Sequence, residues 1–183
     1  MTNVSAKGTE FDTLYERGKT VHHNEYIIGV DIGTTSTKAV LYTTGGEPIL
    51  RESVEYPLHV PSPAAAEQDP EEIFQAVIET ISRLVKMNEI DPARLRGVSF
   101  SAAMHSLIAV DAGGRPLTPC ITWADNRSAD WAQTIKAKWN GHAIYRRTGT
   151  PIHPMSPLVK ITWLRHAQPD IFARTAKFIS IKE

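Results

Sequence analysis

The sequence predicts a mixed α/β domain in which a meander of three antiparallel strands comes first and helices then alternate with further strands. Three short apolar runs, rich in β-branched and aromatic residues, begin at Tyr26, Lys38 and Ile49 and are joined by short connections. Connections of this length favour antiparallel pairing. Helical and strand-like segments alternate after residue 69, which favours a sheet with helices packed on its faces.

The segment from residue 69 carries the strongest helix signal in the chain. Asp69 at the N-cap, Pro70 at the first helical position and Glu72 three residues after the cap predict where the helix begins. Apolar residues recur after it at helical spacing, which predicts one buried face. The residues of this face are Ile73, Phe74, Val77, Ile78, Ile81, Leu84 and Val85.

The remaining elements are shorter, and turn-forming residues mark their limits. Residues 1–25 are polar and lack periodicity, so we predict an N-terminal extension there and one domain over residues 26–183. Within the domain we predict a loop over residues 59–68, strands over 96–101, 107–111 and 117–123, helices over 128–139 and 157–167, and a last strand over 177–181.

The composition argues against several classes of function. Twenty Lys plus Arg balance twenty Asp plus Glu among the 183 residues, which leaves no electrostatic basis for binding nucleic acid or an anionic membrane. A single cysteine, Cys120, cannot form an internal disulfide, and this is typical of a reducing compartment. No run is apolar enough for a signal peptide or a bilayer span. We therefore expect a cytoplasmic protein without nucleic-acid or membrane partners.

The stretch DIGTTSTK, residues 31–38, lies between the first two strands. It lacks the lysine after a second glycine of a P-loop and the three glycines of the Rossmann fingerprint. Its backbone N–H groups and hydroxyls can bind phosphate oxygens, and Gly33 lets the backbone turn. Asp31 can bind Mg²⁺ directly or through water, and Lys38 can add positive charge near a terminal phosphate. The alternative is a plain hairpin whose Thr and Ser hydroxyls satisfy the turn amides.

Four motifs in fixed order carry a family resemblance. GVDIGTTSTKAVLY resembles the first phosphate loop of the actin, Hsp70 and sugar kinase superfamily. SAAMHSLIAVD, CITWADNRS and RTGTPIHPMSPLVKITWL resemble later segments of the FGGY carbohydrate kinases. The resemblance extends from Tyr26 to Glu183 and implies a ribonuclease H-like mixed sheet. Within the family, four segments are most similar in sequence to the bacterial members that act on gluconate. These segments are AEQDPEEIF, SAAMHS, TWADNRS and TGTPIHPMSPL.

The resemblance also implies roles for residues of the first motif. Asp31 matches the metal-associated acid, and Lys38 matches a basic position in the loop of related kinases. The ATP phosphates are bound in such kinases by the loop that corresponds to Gly33, Thr34 and Thr35.

The substrate pocket is implied by the later motifs. An indole can pack against an apolar sugar face, a carboxylate can accept from two hydroxyls, and an arginine can bind a carboxylate with both arms of its fork. The implied substrate-binding residues are Met104, His105, Trp123, Asp125, Arg127 and Met155.

Structural roles remain open for some of these positions. His105 can bind a hydroxyl or, when protonated, a substrate carboxylate, but it can also be a satisfied structural residue. Asn126 and Ser128 lie where a helix begins and can serve as caps instead of ligand contacts.

The resemblance implies transfer of the ATP γ-phosphoryl group, with Mg²⁺, to a primary hydroxyl of D-gluconate, giving 6-phosphogluconate. Three alternatives remain: a kinase for another polyol such as xylulose, a non-catalytic sugar-acid-binding or regulatory fragment, and an actin-like or Hsp70-like ATPase.

In the longer family members, the aspartate that takes the proton from the sugar hydroxyl lies beyond the position of Glu183. We therefore expect an N-terminal domain that is incomplete at its C-terminal end, with little activity alone. Uncovered sheet edges predict self-association.

Overall fold

A computed structural model describes residues 25–183, so the extension predicted over residues 1–25 lies outside the described residues except for its last residue. None of the helices in the described range is long and apolar enough to cross a membrane. The strands are β1 (Tyr26–Ile32), β2 (Ser36–Thr43), β3 (Pro48–Glu55), β4 (Glu67–Gln68), β5 (Leu95–Ala102), β6 (Ile108–Val110), β7 (Cys120–Ile121) and β8 (Lys177–Ile179). The helices are α1 (Pro70–Lys86), α2 (Ala129–Lys138), α3 (Gly141–Thr148), α4 (Pro157–Ala167) and α5 (Pro169–Arg174), with a 3₁₀ turn at Pro92–Arg94.

The main sheet has four strands in the order β3-β2-β1-β5. β1 pairs antiparallel with β2, and β2 pairs antiparallel with β3, which confirms the predicted meander. β5 lies parallel to β1 on the other side, and the chain reaches it through α1. A parallel neighbour requires such a crossover, because the chain must return to the end of the sheet from which β1 started.

The first two strands divide their side chains between the two faces of this sheet. Ile28 and Val30 of β1 and Leu41 of β2 are buried in the main core with the apolar residues of α1. Because successive side chains point to opposite faces, Asp31 emerges on the other face and is exposed. Lys38 lies opposite Asp31 on β2 and is exposed as well. The alternation thus places this acid and this base side by side, away from the core.

Helix α1 begins as predicted, because the Asp69 carboxylate accepts a hydrogen bond from the Glu71 N–H at 2.8 Å. Phe74 and Ile78 were predicted to belong to its buried face, but they are 57% and 50% exposed. That prediction was wrong because each follows a buried residue by one position, which turns it about 100° around the helix axis. The buried residues of α1 are Ile73, Ala76, Val77, Thr80 and Leu84.

The second half of the chain combines two short sheets with the helices α2 to α5. β4 pairs with β7, and β6 pairs with β8, each antiparallel. The strands predicted over residues 107–111, 117–123 and 177–181 are therefore present but shorter. β4 was not predicted, since it lies within the predicted loop over residues 59–68. Its two residues are extended because they pair with a distant strand, and no local pattern reveals such a pairing.

Helix α3 was also not predicted, because only two residues separate it from α2. Asn140 reverses the chain there in a left-handed conformation (φ 51°), and its side chain accepts a hydrogen bond from the Ala143 N–H at 3.3 Å. Gly149 ends α3 with φ 69°, a conformation that glycine adopts without steric cost.

β5 forms one edge of the main sheet, with β1 as its neighbour there. Val98 and Phe100 on this strand are 43% and 44% exposed. An edge strand with exposed apolar side chains is a template for pairing with another chain. Self-association of this chain stays a prediction.

We expect the substitution Gly141→Ala to destabilise the fold. A Cβ atom at Gly141 would lie 2.8 Å from the Cα atom of Lys136 and 3.2 Å from the carbonyl oxygen of Ile135. Both atoms belong to the backbone of α2, so side-chain rotation cannot relieve the clash. The free energy of unfolding, measured with urea, should fall by about 1–3 kcal/mol. Gly97→Ala is the control, because a Cβ atom there meets nothing within 4 Å. Equal unfolding midpoints for the two variants would contradict this prediction.

Candidate active site

The turn that joins β1 to β2 is held by hydrogen bonds to three successive carbonyl groups. The Tyr56 hydroxyl donates to the Gly33 carbonyl at 2.7 Å, and the Tyr56 N–H donates to the Thr35 carbonyl at 3.1 Å. The Gln68 Nε2 donates to the Thr34 carbonyl at 2.7 Å. Within residues 25–183, no hydrogen bond engages the N–H groups of Thr34 and Thr35. The turn therefore has its acceptors occupied and two backbone donors available for an anion.

The two residues that hold this turn are themselves buried. Gln68 is 4% exposed and Tyr56 is 8% exposed. Burial raises the pKa of the Tyr56 phenol, so its hydroxyl remains a donor to Gly33 at neutral pH. The turn is thus supported by side chains whose own positions are determined by packing.

Asp31 and Lys38 lie beside the turn on the exposed face of the sheet, and Ser101 of β5 flanks Asp31 on its other side. Within the described part of the chain, no hydrogen bond or ion pair engages the Asp31 carboxylate. The same range contains no cluster of three or more His, Cys, Asp or Glu residues that could hold a metal ion. Mg²⁺ commonly uses one or two carboxylates together with phosphate oxygens. A single free carboxylate beside an anion-binding turn therefore fits a magnesium site that is shared with phosphates.

Trp123 lies against the same turn, although 89 positions separate it from Thr34 in the sequence. Its indole Nε1 donates to the Thr34 hydroxyl at 3.0 Å. Trp123 is 50% exposed, so part of its ring is free to contact a ligand. The Thr34 hydroxyl accepts from the indole and can still donate to a phosphate oxygen. The predicted phosphate loop and the predicted sugar segment meet at this hydrogen bond.

Met104 and His105 form the turn that follows β5. Met104 is 74% exposed and His105 is half-buried. His105 has a φ of 66°, a left-handed conformation that costs free energy for a residue with a side chain and persists only where its surroundings hold it. The Lys160 Nζ donates to the His105 carbonyl at 2.6 Å and provides such a contact.

Lys160 is fully buried in α4. Its ammonium group also donates to the Thr122 carbonyl at 2.6 Å and lies 3.4 Å from the Ile121 carbonyl oxygen. Burial lowers the pKa of Lys160 to about 8, although the negative charge of Asp125 opposes this shift. One buried cation therefore joins the turn that carries His105 to the segment that carries Trp123.

Asp125 is 1% exposed, and both of its carboxylate oxygens have partners within the protein. Oδ2 accepts from the Ala66 N–H at 3.0 Å and from the Arg127 Nε at 2.9 Å. Oδ1 accepts from the Arg127 N–H at 3.1 Å. These contacts give Asp125 a structural task, since they bind the segment before β4 to the segment after β7. Its predicted contact with sugar hydroxyls stays a prediction.

Arg127 likewise has protein partners. Its Nη2 lies 2.5 Å from a Glu67 carboxylate oxygen and 2.8 Å from an Asp125 oxygen, and its guanidinium lies 4.6 Å from the centre of the Trp163 ring. The two Nη2 contacts are charge pairs that are not aligned as hydrogen bonds, so the bond from Nε to Asp125 is the directed one. Two protein carboxylates already neutralise this cation. Its predicted contact with a substrate carboxylate stays a prediction.

The loop that carries Met155 is tied to the start of α2. Ser128 occupies the N-cap position of α2, but its side chain makes no capping hydrogen bond. Its hydroxyl donates instead to the Pro154 carbonyl at 3.0 Å. The Met155 N–H donates to the Nδ1 of His153 at 3.2 Å, and the Met155 side chain is half-buried. This loop therefore lies next to the segment of Asp125, and the predicted contact of Met155 with substrate stays a prediction.

Three residues with clear tasks at the site were not predicted, namely Tyr56, Gln68 and Lys160. Lys160 had a recognisable signal, because it is the only cation within the apolar run LVKITWL. A lysine embedded in such a run indicates a buried charge with specific partners. Tyr56 and Gln68 had no comparable signal, since their task depends on which carbonyl groups the fold brings to them.

The meander, the parallel fourth strand and the anion-binding turn define a sugar kinase type of domain, with a mixed sheet and flanking helices. Residues 26–183 match the N-terminal domain of the FGGY family of carbohydrate kinases, and the chain belongs to this family. The predicted family and the predicted ribonuclease H-like fold are therefore confirmed.

Individual relatives are similar over nearly all of the matched range. The chain is 55% identical to a gluconokinase of Bacillus subtilis (strain 168) over 158 residues, which covers 86% of this chain and 30% of that protein. A crystal structure of gluconate kinase from Lactobacillus acidophilus is 42% identical with a TM-score of 0.82, covering 88% of this chain and 32% of that one. A ligand-bound xylulose kinase from the same species is also 42% identical, with a TM-score of 0.81 and coverage of 86% and 32%. The chain thus spans about a third of the length of these relatives.

We expect the stability of the chain to rise with pH between about 8 and 9 because of Lys160. The ordinary pKa of a lysine is 10.5, and burial lowers that of Lys160 to about 8, so the unfolded chain binds more protons in this window. The free energy of unfolding then rises by about 1 kcal/mol over the window. Above pH 9 the Cys120 thiol opposes the rise, since burial raises its pKa from 9.0 to about 11.

Urea unfolding at pH 7, 8 and 9 measures this effect. The variant Lys160→Met has no group to titrate at this position and should lack the rise. Equal pH dependence in the variant and the unmodified chain would show that Lys160 keeps an ordinary pKa.

Proposed function

We propose that this chain supplies the phosphate-binding turn and the sugar-binding segments of an ATP-dependent kinase that converts D-gluconate to 6-phosphogluconate. The observation that carries the proposal is the hydrogen bond from Trp123 to Thr34, which joins a segment suited to a sugar to a turn suited to phosphates. The 55% identity to a gluconokinase supports gluconate as the acceptor. The activity belongs to a protein about three times as long as this chain, so the chain alone should show little turnover.

Each residue of the turn has a task in the proposed reaction. The N–H groups of Thr34 and Thr35 bind phosphate oxygens of ATP, and Asp31 holds a Mg²⁺ ion directly or through water. When bound, the metal neutralises charge that develops on the phosphate oxygens. Lys38, beside Asp31, adds positive charge near the transferred group.

The substrate tasks fall to the more exposed residues. Trp123 packs against the carbon chain of the substrate, and His105 donates to a hydroxyl or to the carboxylate of gluconate. A primary hydroxyl oxygen of gluconate attacks the γ-phosphorus, the bond to the bridging oxygen breaks, and ADP leaves. The family resemblance assigns the proton of that hydroxyl to an aspartate beyond Glu183.

A kinase for xylulose is the second candidate, and two observations favour it. The ligand-bound xylulose kinase of Lactobacillus acidophilus is as similar to this chain, at 42% identity, as the gluconate kinase of that species. The Arg127 guanidinium also already pairs with the carboxylates of Glu67 and Asp125, which leaves it less able to bind the carboxylate of gluconate. Xylulose has no carboxylate and needs no such contact. Acceptor preference in an active enzyme separates the two candidates.

We expect a chimaeric enzyme to prefer gluconate when residues 26–183 of this chain replace the matching segment of the Bacillus subtilis gluconokinase. The reason is that this segment supplies the residues proposed to contact the acceptor. A coupled assay of ADP release should give the highest kcat/KM for gluconate when xylulose, glycerol and gluconate are compared. A preference for xylulose would establish the second candidate, and ADP release without any acceptor would favour an ATPase.

Calorimetric titration of this chain alone with gluconate tests a purely binding role.

In the same chimaera, Asp31→Asn should lower kcat on the order of 10²-fold and leave the KM for gluconate nearly unchanged, because the carboxylate serves the transferred phosphoryl group. Asp170→Asn is the matched control, since Asp170 is an exposed aspartate in the first turn of α5. Full activity of the Asp31→Asn enzyme at limiting Mg²⁺ would contradict the role proposed for Asp31.

A further inference from the structure

Lys160 is a buried cation whose partners are backbone carbonyl groups. It is 0% exposed, and no carboxylate within the described residues lies at ion-pair distance from its ammonium group. Its two short hydrogen bonds, each 2.6 Å, go to the carbonyls of His105 and Thr122, and the Ile121 carbonyl oxygen lies 3.4 Å away. An ammonium group has three N–H donors, so these carbonyls can engage all of them.

Burying a charge in this way is costly, and an apolar side chain in the same helix would fill the space at lower cost. The segments of these two carbonyls are also joined by an antiparallel bridge at which Leu107 and Ile121 exchange backbone hydrogen bonds. His105 and Thr122 lie just outside this bridge, and Lys160 extends the connection to them. His105 lies in the turn after β5, and Thr122 directly follows β7. The φ of 66° at His105 is an uncommon conformation for a residue other than glycine, and the hydrogen bond from Lys160 helps to hold it.

The charged groups around Lys160 determine which other partners its ammonium group can have. The charge of Asp125 favours its charged form, whereas the charge of Arg127 opposes it. The oxygens of Asp125 are committed to Ala66 and Arg127, so they are not available as an alternative partner. The two carbonyls therefore remain the principal partners of the ammonium group.

We propose that Lys160 is a positioning residue for the acceptor pocket: its ammonium group joins the His105 and Thr122 carbonyls and thereby sets the place of His105 and Trp123. Thr122 directly precedes Trp123, whose indole donates to Thr34, so the effect of Lys160 extends to the phosphate-binding turn. The assignment of these side chains to an acceptor pocket rests on the proposed function.

The Nε1–H signal of Trp123 in the proton–nitrogen NMR spectrum of this chain tests the proposal without any ligand. Trp123→Phe identifies this signal among the four tryptophans. In Lys160→Met, we expect the Trp123 indole hydrogen to exchange with solvent about tenfold faster, while the Trp131 indole signal keeps its position. Lys136→Met, at an exposed position of α2, is the matched control and should change neither signal.

A merely structural role for Lys160 would accelerate exchange at all indole groups alike, or at none. Unchanged exchange at Trp123 in a folded Lys160→Met chain would overturn the proposal. If that variant does not fold, Lys160→Gln, which keeps two N–H donors on a neutral side chain, should give an intermediate rate at Trp123. An unchanged rate in the folded glutamine variant would overturn the proposal equally.

Titration of the same samples with gluconate separates this proposal from the proposed function. Gluconate should shift the Trp123 signal of the unmodified chain, and Lys160→Met should weaken that binding about tenfold. If gluconate shifts no signal while the exchange difference remains, the positioning role stands and the assignment of gluconate to this chain fails. If gluconate binds with equal affinity to both chains and the exchange rates are equal, the positioning role fails alone.

Discussion

The candidate site depends on one physical constraint. The carbonyl groups of residues 33–35 must accept hydrogen bonds from within the protein, so that the turn presents N–H donors and not free carbonyl oxygens to an anion. A backbone turn presents donors and acceptors together, and free carbonyl oxygens near an anion would repel it. Tyr56 and Gln68 remove that repulsion by donating to three successive carbonyls. Gln68 is placed by its pairing with Cys120 across the small β4–β7 sheet, so this sheet supports the β1–β2 turn of the main sheet.

The buried residues Asp125 and Lys160 and the half-buried Arg127 connect the segments that carry the exposed side chains. The hydrogen bonds of these three residues go to other parts of the protein and join the segments before β4, after β5 and after β7. Buried charges are costly unless they are satisfied, and most polar contacts of these three residues are satisfied within the fold. Trp123 and Met104, which are half exposed or more, are the residues best placed for the acceptor contact that the proposed function requires.

Similarity to both gluconate and xylulose kinases has a physical counterpart in this arrangement. The contacts that join the segments around the candidate site are made by backbone carbonyls, N–H groups and internal ion pairs. Under the proposed function, discrimination between a sugar acid and a ketose would rest on a small number of exposed side chains. Under the same proposal, a change of one or two of these side chains would alter which hydroxyl compound is preferred.

The sequence by itself determined the features that follow from local pattern. The meander and α1 with its Asp69 cap could both be predicted, because strand alternation and helical periodicity act over a few residues. Motif order alone was sufficient to predict the family. Only the tertiary structure decided that Trp123 meets Thr34, that Arg127 pairs with Glu67, and that Lys160 joins His105 to Thr122. These contacts link residues far apart in the chain, and long-range packing, which no local pattern encodes, determines which groups become neighbours.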